Sequence, residues 1–357
     1  MPLIQLNANL RWFHGDRTFE RGVPQEVSED LFHELSRTGS FGGAGQFLET
    51  VYLKNLPQMN VRGESLTIIR DMGLGDVLML WPTVRAFKLK FPNIKLTYAV
   101  GSAYVDLFRG WAEDYVEAIV PLTTMQGHIK AIDLRGYSER ADDRRTEHRV
   151  DVFANYMQVQ PLADRSVRVR LQPPEVDEAA ALLRTHGWDG VTPLAMVAWR
   201  GSSGHRSIPQ HIVLATLRAL LADGFLPVVV DQESPNVQVD GVLNLGGATN
   251  VRQLAAVLSH ATIVISPDTG VYHLAQAVGR PTVVVFSTVD PDKRVRYYPN
   301  CETIWHNEVP CAPCWDTGCE PIPCLMRVTA TEIMAAVRKL VPQVEAVTVA
   351  VGTGSGA

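Results

Sequence analysis

Three short loops in this chain bring together residue types that handle phosphate and hydroxyl groups. The first is Gly73-Leu74-Gly75-Asp76, set between the apolar run LTIIR and the helical pattern VLMLWPTVRAFKLKF. A carboxylate there either caps the helix by accepting backbone N–H groups or, at the mouth of a cleft, takes a proton from an incoming hydroxyl. The loop is not the dinucleotide fingerprint, because Gly-x-Gly-x-x-Gly would need glycine where Leu78 stands. That disfavours a nicotinamide enzyme.

The second loop is Ser266-Pro267-Asp268-Thr269-Gly270, which opens a helix containing His273. Backbone N–H groups at 269 to 271 and the positive end of that helix form an anion site suited to phosphate. Asp268 reads as the partner of a ligand hydroxyl or as a helix cap, and His273 as a phosphate donor or a core histidine. The third loop, Trp199-Arg200-Gly201-Ser202-Ser203-Gly204-His205-Arg206, offers small residues for close backbone approach. Ser202 and Ser203 add hydroxyls, and Arg206 adds a permanently charged fork for phosphate oxygens. Its bland alternative is a solvated loop. Together the three loops describe a nucleotide diphosphate site with an acceptor cleft between two halves of the chain.

All five cysteines lie between Cys301 and Cys324. Four follow the spacing Cys311-x2-Cys314-x4-Cys319-x4-Cys324 in a segment rich in turn formers, and Cys301 reads as a bystander. In a reducing compartment four converging thiolates suit structural zinc or iron, with disulfides or unligated thiols as the alternatives. Asp290-x-Asp292 sits in VDPDKR and reads as turn chemistry rather than a metal pair.

The elements that must position these loops follow from periodicity. Leu80, Val84, Phe87 and Phe91 recur at helical spacing after LTIIR, giving strand, loop and helix, with Pro82 expected to kink that helix. KLTYAVG at 95–101 and KAIDLRG at 130–136 read as further strands of a parallel sheet. SERADDRRTEH at 138–148 reads as a solvated loop in preference to a surface for an anionic acceptor, and VDVFANYMQV after it as a helix. The second half repeats the rhythm in LAMVAW, LPVVVD, ATIVIS and PTVVVF, separated by helical patterns, without sequence similarity to the first half. The fold class is therefore α/β, with two open parallel sheets covered by helices. The expected organisation is an amino-terminal extension over 1–62, with an amphipathic helix at 27–37. A first Rossmann-like domain follows over 63–175, then a second over 190–328 holding the cysteine-rich loop 301–324. A last helix spans 329–341, capped by Thr329-x-x-Glu332, and a disordered tail spans 342–357. The extension serves packing or partner contact.

Composition bounds the partners. Hydrophobic residues are 46% and charged residues 20% of 357, enough for sizeable cores and incompatible with global disorder. A net charge of -5 supplies no overall field for nucleic acid or anionic lipid. No apolar run approaches the ~20 residues of a membrane span, and the amino end lacks the order of a secretion signal, so the expected location is the cytoplasm.

The segments IIRDMGLGDVLMLWPTVRAFKLKFP, HRVDVFANYMQV and ISPDTGVYHLAQAVGRPTVVVF followed by DPDKR resemble the bacterial heptosyltransferases, glycosyltransferase family 9, over about residues 64–340. The resemblance implies a GT-B fold of two Rossmann-like domains. It implies inverting transfer from a nucleotide-diphosphate sugar, commonly ADP-heptose, to a hydroxyl on a protein or lipopolysaccharide, without a catalytic metal. Asp76 then corresponds to the general base, with Gly73 and Gly75 in the acceptor-side loop. Ser202, Ser203, Arg206, Asp268, Thr269, Gly270 and His273 correspond to the donor site, and Glu233 to a nucleoside contact. The cysteine segment is similar to the metal-binding finger of the branch that glycosylates autotransporter proteins, and a homo-oligomer is compatible with it. The extension departs from the family, whose members usually begin near the position of Leu66. Two rivals stand beside this reading: a non-catalytic sugar-nucleotide or glycan-binding protein, and a sugar-nucleotide epimerase on the same fold.

Overall fold

The computed structural model describes residues 46–110, 112–141, 146–201, 203–233, 239–287, 289–311, 319 and 322–342, with 3–6, 11–14, 17–20, 25–28, 30–31, 35 and 41–43 of the amino end. Ser202, Cys314, residues 142–145 and the expected tail beyond Pro342 lie outside this set, as does most of the helix expected over 27–37. The chain divides into two compact units, one of residues 1–172 with 292–297 and one of 173–291 with 298–357.

In the first unit five strands form a wholly parallel sheet: β1 (Gln46–Thr50), β2 (Ser65–Ile69), β3 (Lys95–Val100), β4 (Ala118–Pro121) and β5 (Gly127–Asp133), in the order β1-β5-β2-β3-β4. The strand order reverses between β2 and β5, because β3 and β4 continue to one side of β2 and β5 returns to the other. Its helices include α1 (Leu56–Arg62), α2 (Leu74–Lys90) and α3 (Arg149–Tyr156). β1 lies within the region read as an extension and supplies the edge strand beside β5. Before it, Leu3–Leu6 pairs antiparallel with Gln25–Glu26 and Phe41–Gly43, and Arg11–His14 pairs with Arg17–Glu20.

α2 is one continuous helix through Pro82, so the proline does not divide it. The missing N–H of Pro82 is tolerated where the surrounding side chains are enclosed, and Val77 through Val84 are all buried. Trp81 anchors the helix, with its ring 4.8 Å from Phe108 and 6.1 Å from Tyr98 between centroids. Asp151 on α3 accepts from the Tyr297 hydroxyl at 2.5 Å and pairs with Arg165 at 2.9 Å, which ties the returning segment 292–297 to this unit.

The second unit carries six parallel strands: β6 (Leu194–Val197), β7 (Leu226–Val229), β8 (Leu243–Asn244), β9 (Ile263–Pro267), β10 (Thr282–Phe286) and β11 (Cys301–Trp305). Their order is β8-β7-β6-β9-β10-β11, the doubly wound arrangement with its reversal between β6 and β9. Both faces of the sheet are covered, which explains the near-continuous apolar strands. Ala195, Val197, Ile263, Ile265, Val283 and Val285 pack with α5 (Gln210–Ala222) and α8 (Ala330–Leu340). Met196, Val228, Val264 and Val284 are buried at the alternating positions. α6 (Val251–Leu258) packs with α7 (Gly270–Ala277) and with α4 (Pro173–Thr185), where Arg252 meets Glu175 at 2.7 Å. The capping box expected at Thr329 and Glu332 is formed at the start of α8.

Trp81 projects into the core from the same helix that carries Asp76. Trp81→Ala should lower unfolding stability by about 3–5 kcal/mol, read as a shifted urea midpoint; a loss below about 1 kcal/mol would contradict this packing.

Candidate functional site

In the second unit the two loops singled out above follow the two strands that flank the reversal of strand order, and in the first unit the Gly73–Asp76 loop follows one such strand, β2; open parallel sheets leave a crevice there at their carboxyl edge. In the second unit the loop after β6 carries Ser203 and Arg206, and the turn after β9 carries Asp268 and Thr269. Gly201 lets the loop double back, since a Cβ there would lie 2.1 Å from the Arg206 carbonyl oxygen. Arg206 donates from Nε to the Asp268 carbonyl at 2.8 Å and from Nη2 to the same oxygen, and its Nη2 lies 3.6 Å from the Asp268 carboxylate. These contacts join the two loops. The Ser287 hydroxyl, after β10, donates to the His205 carbonyl and braces the loop from a third strand.

The N-cap of α7 is Thr269, not Asp268. Asp268 is 6% exposed, and its carboxylate accepts from the Tyr272 hydroxyl at 3.2 Å as well as facing Arg206. Gly270 begins the helix, so the N–H groups of its first turn are directed out of the carboxyl edge. His273 is buried one turn in, with Nδ1 2.6 Å from the Tyr298 hydroxyl and its ring stacked near Tyr272. Its core environment is thus evident. Glu233 is exposed and lies 3.9 Å from Arg200.

Asp231, two residues past β7, is a further acid of this edge that the sequence reading passed over. It is buried, and its Oδ1 accepts the N–H groups of Trp199 at 3.2 Å and Arg200 at 3.3 Å, while its carbonyl accepts Gly247 N–H. Oδ2 is enclosed without a hydrogen-bond partner among the described residues. Burial pushes this carboxyl up to about 6, against the opposing pull of the two N–H groups and Arg200. Its sequence signal was slight: one acid closing the run VVVD.

In the first unit Gly73 is the N-cap of α2 at φ 77°, and a Cβ on it would approach Asp76 Oδ2 to 3.0 Å. Gly75 and Asp76 follow in the first turn. Asp76 is therefore not the cap. Its carboxylate instead meets Arg70 Nη2 at 2.6 Å through Oδ2 and Arg149 Nε at 3.3 Å through Oδ1. Neither arginine was singled out from sequence, because the contacts span 6 and 73 positions and join the exit of β2, α2 and the start of α3.

Of the cysteine set, Cys311 is exposed, Cys319 partly buried and Cys324 buried, and Cys314 is outside the described residues. Among the described residues no group of three His, Cys, Asp or Glu side chains is placed to hold a metal ion. The four-cysteine set is therefore represented by donor chemistry alone. Among the described residues no helix is long and apolar enough to cross a membrane.

Residues 230–323, which hold β8 to β11, the Asp268 turn and most of the cysteine segment, match glycosyltransferase family 9 (heptosyltransferase). The match is confined to those residues, most of them in the second unit. A stretch of 54 residues is 35% identical to the lipopolysaccharide core heptosyltransferase OpsX of Haemophilus influenzae, covering 15% of this chain and 16% of that protein. The chain thus spans about one sixth of the length of that curated relative. At the level of fold, the chain is similar to the family 9 glycosyl transferase of Veillonella parvula, with a TM-score of 0.60 at 12% identity over 78% of this chain and 97% of the other. It is also similar to TibC, described as an iron-containing dodecameric glycosyltransferase of enterotoxigenic E. coli, with a TM-score of 0.61 at 16% identity over 78% and 76%. These likenesses agree with the two parallel, helix-flanked sheets of a GT-B fold.

Between about pH 4 and pH 6 the folded chain keeps a proton on Asp231 that the unfolded chain has released, so the group's contribution to stability is lost as pH rises through that window. Asp231→Asn retains an acceptor and cannot ionise. It should gain on wild type by on the order of 3 kcal/mol between pH 4 and pH 7 in urea unfolding, whereas parallel pH curves would contradict a raised carboxyl.

Proposed function

We propose that this chain is an inverting glycosyltransferase that moves heptose from ADP-heptose to an acceptor hydroxyl on a protein or on lipopolysaccharide. The observation that carries the reading is the clamp of Arg206 on Asp268 beside the start of α7, at the reversal of strand order in the second sheet. Such a place gathers a guanidinium and helix N–H groups around an anion. The choice of donor draws support from relatives: one TibC structure is described as a complex with ADP-D-beta-D-heptose, and another similar structure is E. coli ADP-heptose lps heptosyltransferase II.

In this mechanism Asp76 takes the proton of the acceptor hydroxyl as its oxygen bonds to the anomeric carbon from the side opposite the diphosphate. The bond from that carbon to the β-phosphate oxygen breaks, and ADP leaves with the electron pair. Arg206 and the N–H groups of Thr269 and Gly270 stabilise the charge growing on the diphosphate. Ser202 and Ser203 add hydroxyl donors, Asp268 orients sugar hydroxyls, His273 supports the diphosphate and Glu233 meets the nucleoside. Gly73 keeps the base loop open to the acceptor, and Gly75 continues it.

No step passes through a metal. Cys311, Cys314, Cys319 and Cys324 would hold a structural zinc or iron, whose chemistry is cross-linking of a turn-rich segment. A cytoplasmic homo-oligomer is part of the same reading.

Purified protein should be stabilised against heat by ADP-heptose over other nucleotide sugars. It should release ADP with lipopolysaccharide or an autotransporter passenger protein as acceptor. Asp76→Ala should keep the thermal shift and lose at least about 100-fold in rate. An Asp76→Ala protein with wild-type turnover, or no response to any nucleotide sugar, would overturn the proposal.

A further inference from the structure

The two arginines on Asp76 are buried to an unusual degree for charged side chains that reach a surface loop: Arg70 is 4% exposed and Arg149 6%. Each is fixed at a second point. Arg70 donates from Nη1 to the Leu134 carbonyl at 3.1 Å, linking the exits of β2 and β5, and Arg149 donates from Nη1 to the carbonyl of the fully buried Ser138. The two carboxylate oxygens are taken by different guanidinium groups, Oδ2 by Arg70 and Oδ1 by Arg149. Rotation of the carboxylate about its last bond would break one pair or the other. Gly73 closes the third side, where any side chain would press on Oδ2.

Buried ion pairs return little net stability, because desolvation offsets most of the attraction. What this network supplies is position and charge. We propose that Arg149, together with Arg70, is a positioning residue for Asp76, fixing the orientation of its carboxylate and holding it anionic while an acceptor hydroxyl gives up its proton. The inference deepens the assignment of Asp76 as the base and rests on it.

Other charged and titratable groups face this point from each neighbouring element. Asp71 lies on the exit of β2, Tyr98 on β3, and Tyr104 on the turn after it; Asp133 and Arg135 lie at the exit of β5. Burial raises both tyrosines, so they stay neutral at working pH. Arg135 is committed to Asp133 through Nε at 2.9 Å. Among the described residues Arg70 and Arg149 form ion pairs with Asp76.

The test is to titrate Asp76 by 13C NMR in protein labelled at aspartate, with Asp76→Asn giving the assignment, and to record pH–rate profiles for ADP release from ADP-heptose. In Arg149→Gln the Asp76 carboxyl should titrate about one pH unit or more higher. The acid limb of the rate profile should move up by the same amount, and kcat should fall at least tenfold with KM for ADP-heptose unchanged. Arg149→Lys should restore the titration of Asp76 without restoring kcat, because a point charge cannot reproduce the guanidinium geometry. Should Arg149→Gln not fold, Arg149→Lys decides: wild-type kcat in that variant would overturn the positioning role.

An Asp76 titration in folded Arg149→Gln that matches wild type would equally overturn it. Failure of the base assignment looks different. Asp76→Asn would then turn over normally, while the NMR shift in Arg149→Gln would still appear.

Discussion

The parallel pairing of β6 with β9 is the constraint on which the rest depends. Met196 sits opposite Val264 and Val197 opposite Ile265, while the chain leaves β6 toward β7 and leaves β9 toward β10. Two loops that follow adjacent strands and depart in opposite directions must open a crevice, and here they carry Arg206 and Asp268. In the first unit β2 and β5 are likewise adjacent and parallel, and their exits meet where Arg70 Nη1 donates to the Leu134 carbonyl and the Leu134 N–H donates to the Ile69 carbonyl. In both units the sheet decides where polar chemistry can gather, and loop residues decide which chemistry it is.

That division explains what the sequence disclosed. Runs such as TIVIS and TVVVF are short, β-branched and apolar at every position, so they announce strands buried on both faces. The glycine and hydroxyl loops after them were legible for the same reason: a strand had just ended. β1 was harder, because QFLET follows a glycine-rich stretch and joins the sheet only through a partner some 80 residues away. Pro82 lies inside one continuous helix. Its ring lies in an enclosed helix, where tertiary packing sets the path more than local propensity does.

The site residues divide along the same line. Asp76, Arg206 and Asp268 stand in compact local patterns and could be nominated from spacing. Arg149 and Asp231 could not, since each acts on a residue from another element: Arg149 on Asp76, and Asp231 on the backbone of Trp199 and Arg200. Nearness in sequence also proved a poor guide to role. A helix cap was one of two readings for both Asp76 and Asp268, yet Gly73 and Thr269 occupy the cap positions and leave both carboxylates for arginine.

The central claim is that the loops flanking β6 and β9 hold the diphosphate of the donor. A crystal structure of the protein with ADP tests it most directly. The account places the diphosphate at the start of α7, within hydrogen-bond reach of the Thr269 and Gly270 N–H groups and of Arg206, with the clamp on the Asp268 carbonyl kept or exchanged for phosphate oxygen. ADP bound elsewhere, or no ADP at millimolar concentration, would contradict it.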